Sequence, residues 1–419
     1  MSYKDWGRYT LDDIAENIFS GGTPDTRKTD YWNGKLNWLS SGETRNTFIT
    51  KTENTITELG VKESSTRLAK IGDIVIASAG QGFTRGQASL CKIDTYINQS
   101  LISIRCNREK AFNVYVFYNL RYRYEELRQI SDGHSIRGSL TTKMMKSVDI
   151  KLPSLETQKA IANILSSLDD KIELNNKINR NLEELAQTLY KQWFVDFDFP
   201  NVDGEPYKSS GGEMVESELG LIPFGWKIGT IESVCNTVLG GTPSRKREEF
   251  WNGDINWINS GEVNQFRIIR PSEMITKKGY ENSSTKLMPK KTTVIAITGA
   301  TLGAVSLLEI DSCANQSVIG ILQNDNIKYS FIYPTIKNVI HNMIGRQTGG
   351  AQQHINKNDV NSYKIVVPDK HLLNRFHEVV DTIYNEIANR IFQNQKVSKL
   401  RDELLPKLLS GEIEVPIEE

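Results

Sequence analysis

Residues 21–43 read GGTPDTRKTDYWNGKLNWLSSGE, and residues 240–262 read GGTPSRKREEFWNGDINWINSGE. Gly21-Gly22-Thr23-Pro24 returns as Gly240-Gly241-Thr242-Pro243, a spacing of 219 residues (240 − 21). At the same spacing Trp32-Asn33-Gly34 returns as Trp251-Asn252-Gly253, Asn37-Trp38 as Asn256-Trp257, and Ser41-Gly42-Glu43 as Ser260-Gly261-Glu262. Ser64-Ser65-Thr66 returns as Ser283-Ser284-Thr285. Further along the spacing shortens. Asn98-Gln99-Ser100 meets Asn315-Gln316-Ser317 at 217 (315 − 98), and Pro153 meets Pro368 at 215 (368 − 153). Small deletions explain the drift. The chain is therefore one unit of about half its length, present twice.

The matched blocks hold Gly, Trp, Pro and small polar residues, the types that set turns and core packing. Between them the copies differ freely, as in residues 45–55 against 264–274 and 129–143 against 345–358. One scaffold with different loops fits two related binding domains that read different targets. Drift on loops after duplication fits the same pattern.

Each copy has two parts. The first is a mixed α/β domain, residues 1–152 and 221–367. Asp73–Ala77 and Thr293–Ile297, and then Leu101–Ile104 and Val318–Leu322, read as strands. Val114–Arg128 reads as an amphipathic helix. The second part is helical, residues 153–198 and 368–419. In the first copy Ile161, Leu165, Leu168, Ile172, Asn175, Asn179, Leu182, Ala186, Leu189 and Trp193 recur at steps of four and three. In the second, Phe376, Val380, Ile383, Ile387, Arg390, Asn394, Val397, Arg401, Leu404 and Leu408 stand at the corresponding places. These are coiled-coil seams with a polar interruption at the same place in both. They predict that the two helices pair with each other; separate packing of each helix on its own domain is the other arrangement. A linker, residues 199–220, rich in Gly, Pro, Ser and acidic residues, joins the copies. The expected fold class is α+β: two globular domains and two long helices with an internal pseudo-two-fold repeat.

The bulk properties narrow the class. The 419 residues carry 51 Lys plus Arg and 51 Asp plus Glu, a net charge of zero. Any affinity for nucleic acid must then come from local patches. The four cysteines, Cys91, Cys106, Cys235 and Cys313, form no C-x-x-C pair and have no His at zinc-finger spacing. They read as reduced, buried thiols of a cytoplasmic protein. No apolar run approaches the ~20 residues of a membrane span, and no secretory signal is expected, since no apolar region follows a basic start.

Catalytic patterns are missing. The sequence has no G-x-x-x-x-G-K-[ST] phosphate loop, no G-x-G-x-x-G fingerprint, no H-E-x-x-H and no Cys/His cluster. It has no Asn-Pro-Pro-aromatic or Asp-Pro-Pro-aromatic tetrapeptide, and no histidine in a nucleophile motif. Gly240–Lys246 is superficially like a phosphate cradle, but its spacing is wrong, and both Gly-Gly-Thr-Pro blocks read as structural turns. The expectation is a protein that binds rather than catalyses, with no metal site and no cofactor of its own.

The duplicated order of Gly-Gly-Thr-Pro, Tyr31-Trp32-Asn33-Gly34 (Phe250-Trp251-Asn252-Gly253), Asn37-Trp38 and Ser41-Gly42-Glu43 resembles the target recognition domains of type I restriction–modification specificity subunits. Leu152–Gln158 resembles that family's entry into its spacer helix, and Leu400–Gly411 its exit. The second entry departs from the pattern, since Asp369–Leu373 lacks the Glu and Gln of the first. The resemblance covers nearly the whole chain. It implies that each domain reads one half of a split, asymmetric site in double-stranded DNA. It implies that the spacer helices pair antiparallel, set the unread gap and dock two methyltransferase subunits, with motor-nuclease subunits joining for restriction. S-adenosylmethionine and ATP would belong to those partners. A helix of about 40 residues spans about 60 Å, more than the ~34 Å of a DNA turn. A duplicated coiled-coil scaffold that binds protein or glycan is the alternative.

Phosphates want Lys, Arg or polar donors; base edges favour Arg with guanine and Asn or Gln with adenine. On that chemistry the DNA-contact candidates in the first copy are Gln81, Thr84 and Arg85 after a strand, with His134, Arg137 and Lys143 in a polar, Gly-flanked stretch. In the second copy they are Gln265, Arg267, Thr301, Arg346, Gln352, Gln353 and His354.

Overall fold

The structure, a computed structural model, describes residues 6–80, 83–132, 138–345 and 354–416. The chain folds as two compact units, Met1–Ile172 with Lys396–Glu419, and Glu173–Gln395. Each unit contains one copy of the mixed domain and a segment of both long helices.

In the first unit a five-stranded sheet runs in the order Ala15–Ser20, Leu101–Cys106, Ile74–Ala77, Ala88–Cys91, Phe48–Ile49. Its pairs are antiparallel except the last, where Phe48 lies parallel to Leu90. Ile74, Val75, Ile76 and Ala77 are all buried, which is why this strand reads as a continuous apolar run rather than an alternation. A second sheet orders Asn54–Ile56, Trp32–Leu39, Thr95–Ile97 and Arg67–Ala69. A two-stranded ribbon pairs Gly7–Thr10 with Asp149–Leu152 and so anchors the domain beside the start of the first long helix. The second unit repeats the plan. One sheet orders Asn236–Leu239, Val318–Leu322, Thr293–Ala296 and Val305–Leu307, and a smaller one orders Glu273–Ile275, Trp251–Ile258 and Cys313–Ala314. Lys227–Thr230 pairs with Lys364–Val367 as the equivalent ribbon.

The repeated residues build one device twice. Trp38 Nε1 donates to the Gly22 carbonyl at 3.4 Å, and Trp257 Nε1 to that of Gly241 at 3.1 Å. Trp32 meets Trp38 edge-on at 5.0 Å, as Trp251 meets Trp257 at 5.2 Å. Asn37 Nδ2 donates to the Asp94 carbonyl at 3.0 Å, and Asn256 Nδ2 to that of Asp311 at 2.8 Å. The Glu of each Ser-Gly-Glu closes a short turn by accepting from the backbone three residues back: Ser40 to Glu43 at 2.9 Å, Asn259 to Glu262 at 2.8 Å. Asn33 and Asn252 share a left-handed φ, 59° and 61°, where the strand bulges.

The long helices are Leu155–Phe194 and Lys370–Leu409, each of 40 residues. Within the second unit they run antiparallel, since Asn175 Nδ2 donates to Asn394 at 2.7 Å while Trp193 lies 5.3 Å from Phe376. Of the expected polar interruption, Asn175 and Asn394 form a bonded layer there, with Asn394 Nδ2 donating in turn to Asn176 at 2.9 Å, whereas Arg390 pairs with Glu386 on its own helix. Within the first unit, Ile161 and Leu165 share a core with Leu405, Leu408 and Leu409. The expected seam is displaced in one respect. Asp169, Glu183, Tyr190 and Tyr384 are buried, whereas their seam neighbours Leu168, Leu182, Leu189 and Ile383 are half-buried. Each segment faces a mixed α/β domain as well as the other helix, so two adjacent stripes are covered.

One local expectation changes. Val114–Arg128 is not one helix but two, Asn113–Tyr122 and Tyr124–Asp132, broken where Arg123 bonds Glu126 and the Asp149 carbonyl. The linker 199–220 has structure of its own: Phe199 stacks between Tyr207 at 4.6 Å and Trp226 at 5.2 Å, and Met214–Ser217 pairs with Gly220–Pro223.

Gly21 and Gly240 are obligatory for a steric reason. A Cβ at either would strike backbone carbonyls, of Ile97 and of Asn315 and Ala314, that cannot swing away. Gly21→Ala and Gly240→Ala should each cost about 2 kcal/mol by urea unfolding. Gly42→Ala, whose Cβ has only Ser40 Oγ at 3.9 Å for company, should be near neutral.

Candidate nucleic-acid interface

In the first unit the antiparallel strands Ile74–Ala77 and Ala88–Cys91 form a hairpin whose loop carries the candidates Thr84 and Arg85. The loop leaves through Gly80, φ 135°, and returns through Gly86, φ 87°, backbone angles that favour glycine. Gly86 N–H donates to the Ala77 carbonyl at 2.8 Å and closes its base. The Arg85 side chain is only 9% exposed: it pairs with Asp132 and donates to the Gly138 carbonyl at 3.0 Å. The Leu140 N–H donates to the Ser78 carbonyl at 2.8 Å. The loop after the strand and the polar stretch leading to Lys143 are thereby fastened to one another. Lys143 is exposed in a short helix, Thr142–Lys146, capped by Thr141. Thr84 is half-buried beside Gly80.

Phe83 is 81% exposed, with its carbonyl accepting from Tyr124 Oη at 2.8 Å; Arg128 donates to that same hydroxyl at 2.7 Å. Sequence reasoning passed over Phe83, Tyr124 and Arg128. The only signal was an aromatic residue inside a Gly-flanked polar loop and a Tyr-Arg pair one helical turn apart.

The second unit repeats the construction with other side chains. Thr293–Ala296 and Val305–Leu307 form the hairpin, entered at Gly299, φ 71°, and left at Gly303, φ 84°. Gly303 N–H donates to the Ala296 carbonyl at 2.9 Å. Thr301 Oγ1 donates to the Thr298 carbonyl at 3.4 Å, and Gly303 rests on Ile340 and Ile344 of the helix Tyr329–Gly345. Ile355 N–H donates to the Ile297 carbonyl at 3.2 Å, which places the exposed His354 beside this strand end. The turn Ser260–Asn264 lies beside Gly299–Thr301, and Ser306 Oγ donates to the Gln265 carbonyl at 2.8 Å. Ser89 Oγ donates to the Asn46 carbonyl at 2.6 Å in the same way. In both copies the two divergent stretches seen in the sequence therefore meet at one hairpin.

Arg267 is the correction. It was expected at the surface, but its side chain is 0% exposed. It pairs with Glu183 at 2.7 Å and donates to Tyr333 Oη at 3.0 Å. Phe266 and Arg267 alternate across an extended segment, and the phenyl ring faces out while the guanidinium faces two buried carboxylates, Glu183 and Glu309. Burial opposes the arginine's charge, yet Tyr333 and Glu183 outweigh it and raise its pKa. Burial likewise works against the Glu183 charge, but Arg267 and Lys337 overcome it and lower its pKa; Glu309 is raised by burial despite Lys291. Arg85 is also drawn inward, as a brace between loops. Gln81, His134, Arg137, Arg346, Gln352 and Gln353 lie outside the described residues.

Among the described residues no group of three or more His, Cys, Asp or Glu side chains is placed to hold a metal ion. All four cysteines are unpaired and buried, and burial pushes the Cys106 and Cys235 thiols up to about 12. No helix among these residues is long and apolar enough to cross a membrane.

Comparison with known proteins bears on this geometry. The family model described as "Type I restriction modification DNA specificity domain" matches residues 3–184 and 223–393. The chain is 28% identical to the type I restriction enzyme MjaIX specificity subunit of Methanocaldococcus jannaschii, covering 98% of this chain and 94% of that one. It is 26% identical to the HindI specificity subunit of Haemophilus influenzae, covering 98% and 100%. The crystal structure of the type I restriction–modification S subunit from M. genitalium superimposes with a TM-score of 0.61 over 99% of this chain and 97% of that one, at 16% identity, and so shares the fold.

The brace has a measurable consequence. Arg85→Ala removes an ion pair and a hydrogen bond, so amide exchange at Gly86 and Leu140 should quicken by about tenfold or more. Thr84→Ala should leave both amides unchanged. Slow exchange at Leu140 in the Arg85 variant would show that the two segments are not coupled.

Proposed function

The chain belongs to the type I restriction modification DNA specificity family, and from that membership we propose that it is the DNA sequence-recognition subunit of a type I restriction–modification complex. The observation that carries the reading is the duplicated hairpin edge. One scaffold is built twice to the same hydrogen bonds, and at the same place it presents Phe83, Thr84 and Lys143 in one copy and Gln265, Thr301 and His354 in the other. Two like domains with unlike reading edges suit a target in two unlike halves.

In this reading each recognition domain sets one hairpin edge into a groove. Exposed Lys and polar groups meet phosphates and hold the register, while side chains on the loops meet base edges. Thr84, Lys143, Gln265, Thr301 and His354 are the described candidates. Gln81, His134, Arg137, Arg346, Gln352 and Gln353 join them on their chemistry alone. Arg85 acts behind the surface by holding the loop. The paired 40-residue helices set the number of unread base pairs between the halves and dock two methyltransferase subunits, which motor-nuclease subunits join for restriction. The chain itself performs no chemistry: S-adenosylmethionine and ATP bind to the partners, and the complex works in the cytoplasm.

Two constructions test this in the assembled complex, read by methylation mapping. Replacing residues 3–152 with the corresponding domain of another family member should change one half of the target and leave the other intact. Inserting a few residues between Asn175 and Asn179 should alter the gap and spare both halves. An insertion that changed a half-site sequence would refute the ruler. Duplex affinity should fall linearly in log–log form with salt, by ~0.9 per phosphate contacted. A complex with an active methyltransferase subunit that binds duplex without sequence preference would overturn the recognition reading itself.

A further inference from the structure

Each recognition domain meets its helix segments through a buried charge cluster, and the two clusters are chemically different. In the first unit, Tyr118 Oη donates to Asp169 at 2.7 Å, and Arg401 pairs with the same carboxylate. The ion pair itself comes from the long helices; the domain supplies a hydroxyl and the half-buried Arg121, close enough to feel the Asp169 charge. The domain positions Phe48 and Lys92 add no charge pair there: Phe48 lies 6.0 Å from Phe117, with Lys92 over its ring at 4.8 Å. In the second unit, Tyr333 stands where Tyr118 stands and donates to Glu183 at 3.1 Å. Here the base comes from the domain: Arg267, at the position of Phe48, pairs with Glu183 at 2.7 Å, and Lys337, at the position of Tyr122, does so at 3.1 Å. Glu309, at the position of Lys92, completes the cluster 3.8 Å from Arg267. The helix positions differ to match. Asp169 corresponds to Tyr384, over whose ring Arg267 sits at 5.3 Å. Arg401 corresponds to Ala186, and Ser398 to Glu183.

We propose that these clusters are non-interchangeable keys that decide which recognition domain seats on which pair of helix segments, and so fix the order in which the two halves of the target are read. Their incompatibility follows from charge. With the first domain placed on the second unit's helix segments, buried Glu183 would face Phe48 and Tyr122 in place of Arg267 and Lys337. The cation nearest to hand in that domain, Arg121, already donates to the Ala88 carbonyl at 3.3 Å. The carboxylate would be desolvated without the two bases that now answer it. With the second domain placed on the first unit's segments, Ser398 would stand in place of Glu183. Arg267 and Lys337 would then be pressed toward Arg401, which already holds Asp169 and Asp402, with Glu309 the acid their own domain brings along. Removing one partner of a buried pair is strongly destabilising because the other charge stays buried.

The order of half-sites rests on the recognition reading, but the seating does not, so it is tested without DNA. In the full chain, residues 221–367 are replaced by a second copy of residues 3–152. The unfolding midpoint should fall by about 10 °C. Adding Glu183→Ser, Ala186→Arg and Tyr384→Asp, which install the first unit's helix residues, should recover most of that loss. A swap that melts with the parent, or a triple substitution that recovers nothing, overturns the proposal. In the parent chain, Glu183→Gln and Arg267→Phe should each lower the midpoint, and together by clearly less than their sum. Strict additivity would show that the pair is not a unit and would equally overturn it.

Discussion

A 40-residue helix stands in water only if its apolar stripe is covered along its whole length, and everything else here is arranged to cover two of them. Neither long helix can do so alone. Each has a seam for the other and a second stripe, one position over, for a recognition domain. Packing aromatic and aliphatic groups from three elements into one core fixes the domain to the helices. In the second unit Trp193, Phe194, Phe331 and Phe376 do this with ring centres about 5 Å apart. The bonded asparagine layer sacrifices apolar contact for direction and register. A slip by one heptad would set those amides against hydrocarbon.

The repeat, the strand positions and the helix pairing were legible because they are written in residue type and spacing. Gly21, Trp38 and Glu43 announce themselves by returning as Gly240, Trp257 and Glu262, and their hydrogen bonds show that a turn, an indole and a cap are what was kept. The seam was read to within one position. Asp169 and Glu183 look like solvated faces of a helix, and nothing local says otherwise. They are buried because residues far away in sequence, Arg401 and Arg267, come to meet them. That information is tertiary, and spacing along one helix does not carry it.

The same reason explains the error at Arg267. An arginine in a divergent stretch after Ser-Gly-Glu has the chemistry of a guanine reader, and in the sequence it is indistinguishable from one. Its fate is settled by strand alternation, which turns it inward, and by two carboxylates that await it. Arg85 is a milder case. The residue belongs to the hairpin loop, but its guanidinium reaches back to Asp132 and the Gly138 carbonyl. The sequence could single out the loop; which of its side chains face outward is decided by the brace beneath.

These internal uses of charge also bear on how such a chain holds DNA with no net charge. Arg85, Arg105, Arg267 and Arg401 are buried or half-buried, each committed to a carboxylate. Their partners are drawn from the same total of acids, so the balance of 51 against 51 says little about the surface. Cations withdrawn into the fold cannot contribute to counterion release, so phosphate contacts fall to the Lys and Arg that stay exposed.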